Sequence, residues 1–298
     1  MVVDILTHGL TAALLAYAFN LPWVVPFIVL GAVIIDTDFF FIWISDHFPT
    51  LYLFVHGGYA HSLTGAVVLS VIAWTAASLV LVTGIVHPGL PLPEAPVAFA
   101  AILAGALLHI GLDTLAVPGL PLLAPFSDRK FTAGLLPGPS FLLTGVCLVV
   151  VILIGFGKAD LPAMILPYAG IIAVFLATRL TAFGIARTAL RGKGRAVPAI
   201  NPLRWLVIGE TTEAWTVGEY RIGKGMGAPE YFIKYRSTSA GEISAFLTLA
   251  EVRRLRFHFS IVTAEKVGDT IIFSDPLRES GRIFYPPYYK RVRIPLPD

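Results

Sequence analysis

Long apolar runs, broken at short intervals by Pro, Gly and a few ionisable residues, fill the first 185 residues. Residues 5–19 are an apolar segment containing His8. At about 15 residues it is marginal as a membrane crossing, since a spanning helix needs about 20. Asn20-Leu21-Pro22 breaks the run, and residues 22–44 read as a full span that contains Asp36 and Asp38. A polar loop over 45–61 carries His47, His56 and His61. Further spans are expected over 62–86 and 97–117, with a Pro-rich turn from His87-Pro88 to Pro96 between them. The second of these spans ends in His109 and Asp113. A Pro/Gly-rich loop over 118–138 precedes two last spans, 139–157 and 161–181.

After residue 203 the period changes. Short runs rich in β-branched and aromatic residues (Trp215-Thr-Val, Tyr220-Arg-Ile, Tyr231–Tyr235, Phe257–Val262, Thr270–Phe273) alternate with Gly and charged positions, and one helix is expected near 242–255. Asp275-Pro276-Leu-Arg278 and Tyr285–Tyr289 read as turns and edge strands. The expected fold class is a mainly α membrane protein, a bundle of five to six transmembrane helices with a small C-terminal β-rich cytoplasmic domain. Its parts are a helical domain at 1–185, a basic linker at 186–202 and the β-rich domain at 203–298.

Composition agrees. Hydrophobic residues make up 56% and charged residues 14% of the chain, against about 25% charged in soluble domains. The N-terminus lacks a basic n-region and cleavage site, so the first apolar segment is expected to stay in the mature protein. Cys147 is single and lies in an apolar run, which leaves it no intrachain disulfide and a packing role. Residues 1–180 hold four basic and eight acidic side chains; the remainder holds eighteen and eleven. A basic tail closely following the last span places that end in the cytoplasm by the positive-inside rule. The basic residues are scattered among Asp and Glu, so no nucleic-acid partner is expected.

With the tail inside, six crossings put loops 45–61 and 118–138 on the cytoplasmic side. His8, Asp36, Asp38, His56, His61, His109, Asp113, Ser127 and Asp128 then fall near one depth on one face. Each piece alone has an ordinary reading. Asp36 and Asp38 suit a solvated helix end, His56 and His61 a flexible interfacial loop, and His109 with Asp113, one helical turn apart, an intramembrane hydrogen bond. Ser62 suits a helix cap. His47, His87 and His258 lack such company and read as surface or interfacial. Ionisable residues in hydrocarbon are costly and mark function by default, and so many at one depth favour a metal site.

These residues resemble the YdjM-like family of membrane-bound, predicted metal-dependent hydrolases. The resemblance rests on the early His8, Asp36-Thr37-Asp38-Phe39, His56-Gly57-Gly58-Tyr59-Ala60-His61-Ser62, and His109-Ile-Gly-Leu-Asp113 with the loop from Pro118 to Ser127 behind it. It covers residues 1–135 by motif and extends through the spans to about 185. Three positions depart from the pattern: Gly57 stands for an Arg, Ala60 for a Thr and Phe39 for a His. Loss of the Arg removes the residue best suited to a bidentate phosphate contact.

The resemblance implies a hydrolase acting on an ester or phosphoester, lipid-derived at this depth. The expected ligands are His8, Asp38, His61, His109 and Asp113. Asp36 is expected as an outer carboxylate or a ligand to a second ion, and His56 as the acid or an outer ligand. A nitrogen and oxygen set without thiolate suits a divalent metal, zinc first, then manganese or iron. Membrane lipid is the expected partner, and the oligomeric state is open. A non-catalytic reading stays open: the metal ties the spans together and the β-rich domain binds a partner. A transporter ranks behind it, because the ligands lie near one interface and the chain shows no repeat.

Overall fold

The computed structural model describes residues 5–83, 93–138, 140–190, 194–258, 261–283 and 291–296. The turn expected at His87-Pro88, Arg191 and Lys193 of the basic linker, and the Tyr285–Tyr289 run lie outside the described residues. The chain forms two compact units, Met1–Ile42 with Phe54–Thr178, and Trp43–Leu53 with Arg179–Asp298.

The first unit is helical: α1 (Ile5–Ala18), α2 (Val25–Ile34), then α4 (Leu63–Val82), α5 (Ala95–Asp113), α6 (Phe141–Gly155) and the start of α7 (Leu161–Leu190). Among the described residues, four stretches are long and apolar enough to cross a membrane: Pro22–His47, Leu63–Val82, Ala95–Asp113 and Leu161–Leu190. α1 and α6 are shorter apolar helices. Large apolar side chains such as Ile72, Leu79, Leu166 and Val174 point outward, the distribution a lipid surround permits and water does not.

The stretch expected as one span over 22–44 is not continuous α-helix. Regular winding stops at Ile34 and a 3₁₀ segment runs over Ile35–Phe41 before α3 (Ile42–His47). Thr37 Oγ1 donates to the Ile34 carbonyl at 2.6 Å, a side-chain bond of the kind that competes with the helical ladder. At about three residues per turn, side chains two apart leave the axis in clearly different directions. Asp36 and Asp38 therefore serve different neighbours, and both are buried.

The close crossing of α2 and α5 is made by glycines. A Cβ on Gly31 would lie 1.8 Å from the Ile102 carbonyl oxygen, and one on Gly105 2.0 Å from that of Ile28. Small residues allow this backbone approach where two apolar helices have no hydrophobic drive of their own. Ala16, Phe27, Ala73, Ala98 and Ile102 pack beside it, and Ile35, Ala66, Ala106, Ile110 and Leu120 form a second cluster. α1 is held against α6 and α7 by Leu10, Leu14, Cys147, Val150 and Tyr168. Cys147 is fully buried, 3.3 Å from Thr7 Oγ1.

In the second unit, α7 continues to Leu190 and strand β1 (Arg195–Pro198) follows, so regular structure occupies much of the expected linker at 186–202. Arg179 donates to the Ala199 and Ile200 carbonyls at 3.0 and 2.7 Å, and Ala182 and Ala186 pack on the buried Trp205. One sheet joins β1, β2 (Arg204–Glu210), β3 (Ala214–Arg221), β4 (Gly225–Met226) and β5 (Glu230–Ile233), all antiparallel. The other runs β6 (Tyr235–Arg236), β7 (Thr263–Val267), β8 (Thr270–Ser274) and β9 (Arg291–Pro295), with β6 parallel to β7.

Three local expectations change here. The helix near 242–255 is α8 (Ala240–Ser244) and α9 (Ala250–His258), and α9 takes in Phe257 and His258, which had read as strand. Val252 and Leu255 of α9 bury against Ala264, Ile271 and Phe273 of the second sheet, and this packing overrides the β propensity of the Phe257 run. His258 is buried rather than superficial, its carbonyl accepting from Arg278. The Asp275–Arg278 turn is the start of α10 (Pro276–Glu279), capped by Asp275 through the Leu277 N–H at 2.9 Å.

Gly105→Val is expected to destabilise the detergent-solubilised protein by about 1–3 kcal/mol, the usual cost of overpacking. Gly145→Ala, with nothing within 4 Å of the added carbon, is expected to leave the thermal midpoint unchanged or raised. Thermal unfolding of the two variants beside the parent checks this.

Candidate metal centre

The centre is built on four pieces of chain: His8 from α1, Asp36 and Asp38 from the 3₁₀ segment, His56 and His61 from the loop before α4, and His109 with Asp113 from the last turn of α5. Ser62 caps α4 by accepting from Gly65 N at 2.9 Å, which aims the preceding His61 inward. All seven side chains are buried. His8, His61 and His109 are 0% exposed and His56 is 7% exposed, the most accessible of the four histidines.

The two aspartates are used differently. Asp38 Oδ1 accepts from His56 Nδ1 at 2.7 Å, and Asp38 Oδ2 accepts from His61 Nδ1 at 2.9 Å and from Gly57 N at 3.2 Å. Gly57 has φ +75°, a left-handed conformation that suits glycine, so glycine at this position has a local backbone reason. Among the described residues, the two carboxylate oxygens of Asp36 have no hydrogen-bond partner. Asp36 Oδ1 lies 3.6 Å from the Nε2 atoms of both His61 and His109 and 3.9 Å from that of His56.

Tautomers follow from these partners. An ionised carboxylate or a carbonyl can only accept, so the Nδ1 atoms of His56 and His61 donate to Asp38, and His109 Nδ1 donates to the Ala32 carbonyl at 2.6 Å. In each neutral ring the Nε2 lone pair is then left facing the centre. His61 Nε2 and His109 Nε2 are 3.3 Å apart, and Asp113 Oδ2 lies 3.5 and 3.6 Å from them. His8 stacks on His109 with centroids 3.6 Å apart, its Nε2 3.2 Å from Asp113 Oδ1, and among the described residues neither of its nitrogens has a hydrogen-bond partner.

Acceptor atoms facing one another in a buried space repel unless a cation lies between them. Among the described residues, three overlapping sets have the spacing to hold a metal ion: His8, Asp36 and His109; Asp36, His56 and His61; His61, His109 and Asp113. Ligand atoms on a tetrahedral ion with bonds of about 2.0–2.1 Å sit roughly 3.3–3.4 Å apart, close to the spacing just described. Burial alone would push the His61 imidazole down. Asp38 above all, with Asp36 and Asp113, outweighs it and pushes the imidazole up to about 10. The same carboxylates that favour a second proton on the metal-free ring would favour a divalent cation in its place, the ion taking Nε2 once that proton leaves.

Every histidine and aspartate singled out for the site from its motifs is in this cluster; Ser127 and Asp128 are not, and Asp128 is exposed. Two backbone groups, the Ala32 carbonyl and the Gly57 N–H, belong to the site without any side-chain signal to announce them.

The fold and the cluster define a membrane protein with a buried His/Asp centre able to hold a metal ion. The chain belongs to the YdjM inner membrane protein family, whose model matches residues 3–187. The match covers all seven site residues. The chain matches no curated protein and no solved structure.

Elemental mass spectrometry of the purified protein is expected to find a divalent transition metal in near-stoichiometric amount, lost in His109→Ala and Asp36→Asn. Asp38→Asn is expected to keep binding but weaken it about 10–100-fold, as loss of an outer partner of a ligating histidine does.

Proposed function

We propose that this protein is a membrane-embedded, metal-dependent hydrolase acting on an ester or phosphoester, lipid-derived at this depth, at the cytoplasmic face. The observation that carries the reading is the convergence of the Nε2 atoms of histidines fixed through Nδ1 on the carboxylate of Asp36, which has no hydrogen-bond partner among the described residues. In this reading Asp36, His61, His109 and Asp113 hold the ion, zinc first, and His8 backs Asp113 and His109. The roles of the two aspartates are the reverse of the sequence-based expectation: Asp36 ligates and Asp38 orients. When bound, the metal supplies a water of pKa near 7 and draws charge from the oxygen it touches. His56 holds and moves the proton at Nε2, because Asp38 fixes its Nδ1–H and leaves Nε2 free to accept from water and return the proton to the leaving oxygen. Arg187, in the last turn of α7, and Arg195, just beyond it, support a cytoplasmic C-terminal unit.

One observation favours a second reading. The near-complete burial of the ligands suits a structural ion that ties α1, the 3₁₀ segment, the histidine loop and α5 together. A structural site is closed, whereas a catalytic one keeps a position for water.

The test is turnover of a chromogenic phosphodiester and of a short-chain phospholipid in mixed micelles. His56→Gln is expected to retain metal and lose about 10²–10⁴ of the rate, the usual contribution of a general acid–base. A metal-replete native protein inactive on esters and phosphoesters would leave the structural reading in place.

A further inference from the structure

The two aspartates and the two loop histidines flank the segment Trp43–Leu53, and this segment belongs to the C-terminal unit rather than to the unit that carries the ligands. It contains the end of α3 and a 3₁₀ turn at Pro49–Leu51. Consecutive arginines of α9 hold it at both ends. Arg254 Nη1 donates to the carbonyl of the fully buried Ser45 and lies 3.7 Å from Asp46 Oδ1. Arg253 Nη2 donates to Tyr52 Oη at 2.9 Å, its guanidinium 5.1 Å from the centre of the Tyr52 ring, and Phe257 meets the same ring edge-on at 5.6 Å.

These contacts are not equal. The Asp46 side chain is half exposed, and such ion pairs contribute little in water. The Ser45 carbonyl is in the last turn of α3, where helical carbonyls lack internal partners and carry partial negative charge. A guanidinium there, with its side chain only 13% exposed, fixes where α3 ends. Tyr52, buried between Arg253 and Phe257, fixes where the segment returns.

We propose that Arg253 and Arg254 of α9 are positioning residues for the metal centre. By pinning both ends of Trp43–Leu53 they set the separation between Asp36–Asp38 and His56–His61, which the chain alone would leave to a flexible loop. Sites carried on loops need such support, because coordination tolerates displacements of only about half an ångström. The C-terminal unit thereby acts on the centre through the continuity of the chain, and a partner that drew α9 away from the segment would loosen the centre. The role at a metal rests on the proposed function; the pinning of the ligand-bearing segments does not.

The experiment compares the full-length parent, Arg254→Ala, Arg254→Lys, Arg253→Ala and, as a control for lost charge, Arg256→Ala, which removes an exposed arginine of the same helix. It measures zinc affinity by competition with a chromophoric chelator, and hydrogen–deuterium exchange of the metal-free proteins. Arg254→Ala and Arg253→Ala are expected to weaken zinc binding on the order of tenfold, the low end for loss of an outer support. They should also speed exchange in the peptides covering 35–41 and 55–61. Arg254→Lys is expected to recover most of both, and Arg256→Ala to change neither. Faster exchange confined to 43–53, with zinc affinity and the flanking peptides as in the parent, would overturn the proposal. If the parent binds no zinc, the proposed function fails, and the exchange in the flanking peptides alone decides whether the arginines position them.

Discussion

The close contact between α2 and α5 is the constraint on which the centre depends. At Gly31 and Gly105 there is no room for a Cβ on either side. The same approach brings the Ala32 carbonyl to His109 Nδ1 at 2.6 Å. That bond settles the tautomer of His109, and the tautomer decides that Nε2 faces the carboxylates as an acceptor. A backbone distance between two apolar helices is thus converted into the chemistry of a side chain.

Around that contact the unit accepts a large electrostatic cost. Three carboxylates and four imidazoles are withdrawn from solvent, and several of their polar atoms lack hydrogen-bond partners: both oxygens of Asp36, both nitrogens of His8 and His56 Nε2. Each such atom costs about 1–3 kcal/mol when buried unpaired. Asp38 shows what a satisfied carboxylate looks like in the same place, with two imidazoles and a backbone N–H around it. The two aspartates, two residues apart, thus differ in their hydrogen bonding, and the different work proposed for them rests on that contrast. A cation would relieve the unpaired atoms together, and its binding free energy would then add to the stability of the fold.

Much of this was legible in the chain. The apolar runs located the helices, and the His/Asp motifs supplied the residues the structure brings together. Less was legible where local pattern and tertiary packing disagree. Phe257 and His258 look like strand, yet they close a helix whose other face fills the core of a sheet. Asp36-x-Asp38 looks like part of a straight span, yet it lies on 3₁₀ winding. Trp43–Leu53 looks like a plain loop between two motifs, and nothing in its residues discloses that arginines some two hundred positions later hold it.

What the sequence by itself determined is chemical identity and an apolar setting. It specified imidazoles and carboxylates without thiolate, carried on apolar segments where ionisable groups are costly enough to demand a reason. What only the tertiary structure decided is which atom of each side chain faces the centre. That depends on the partner of the opposite atom: the Ala32 carbonyl for His109, Asp38 for His56 and His61, and no hydrogen-bond partner for Asp36. Such partners come from other elements of the fold, at distances set by packing, and a linear pattern does not encode them.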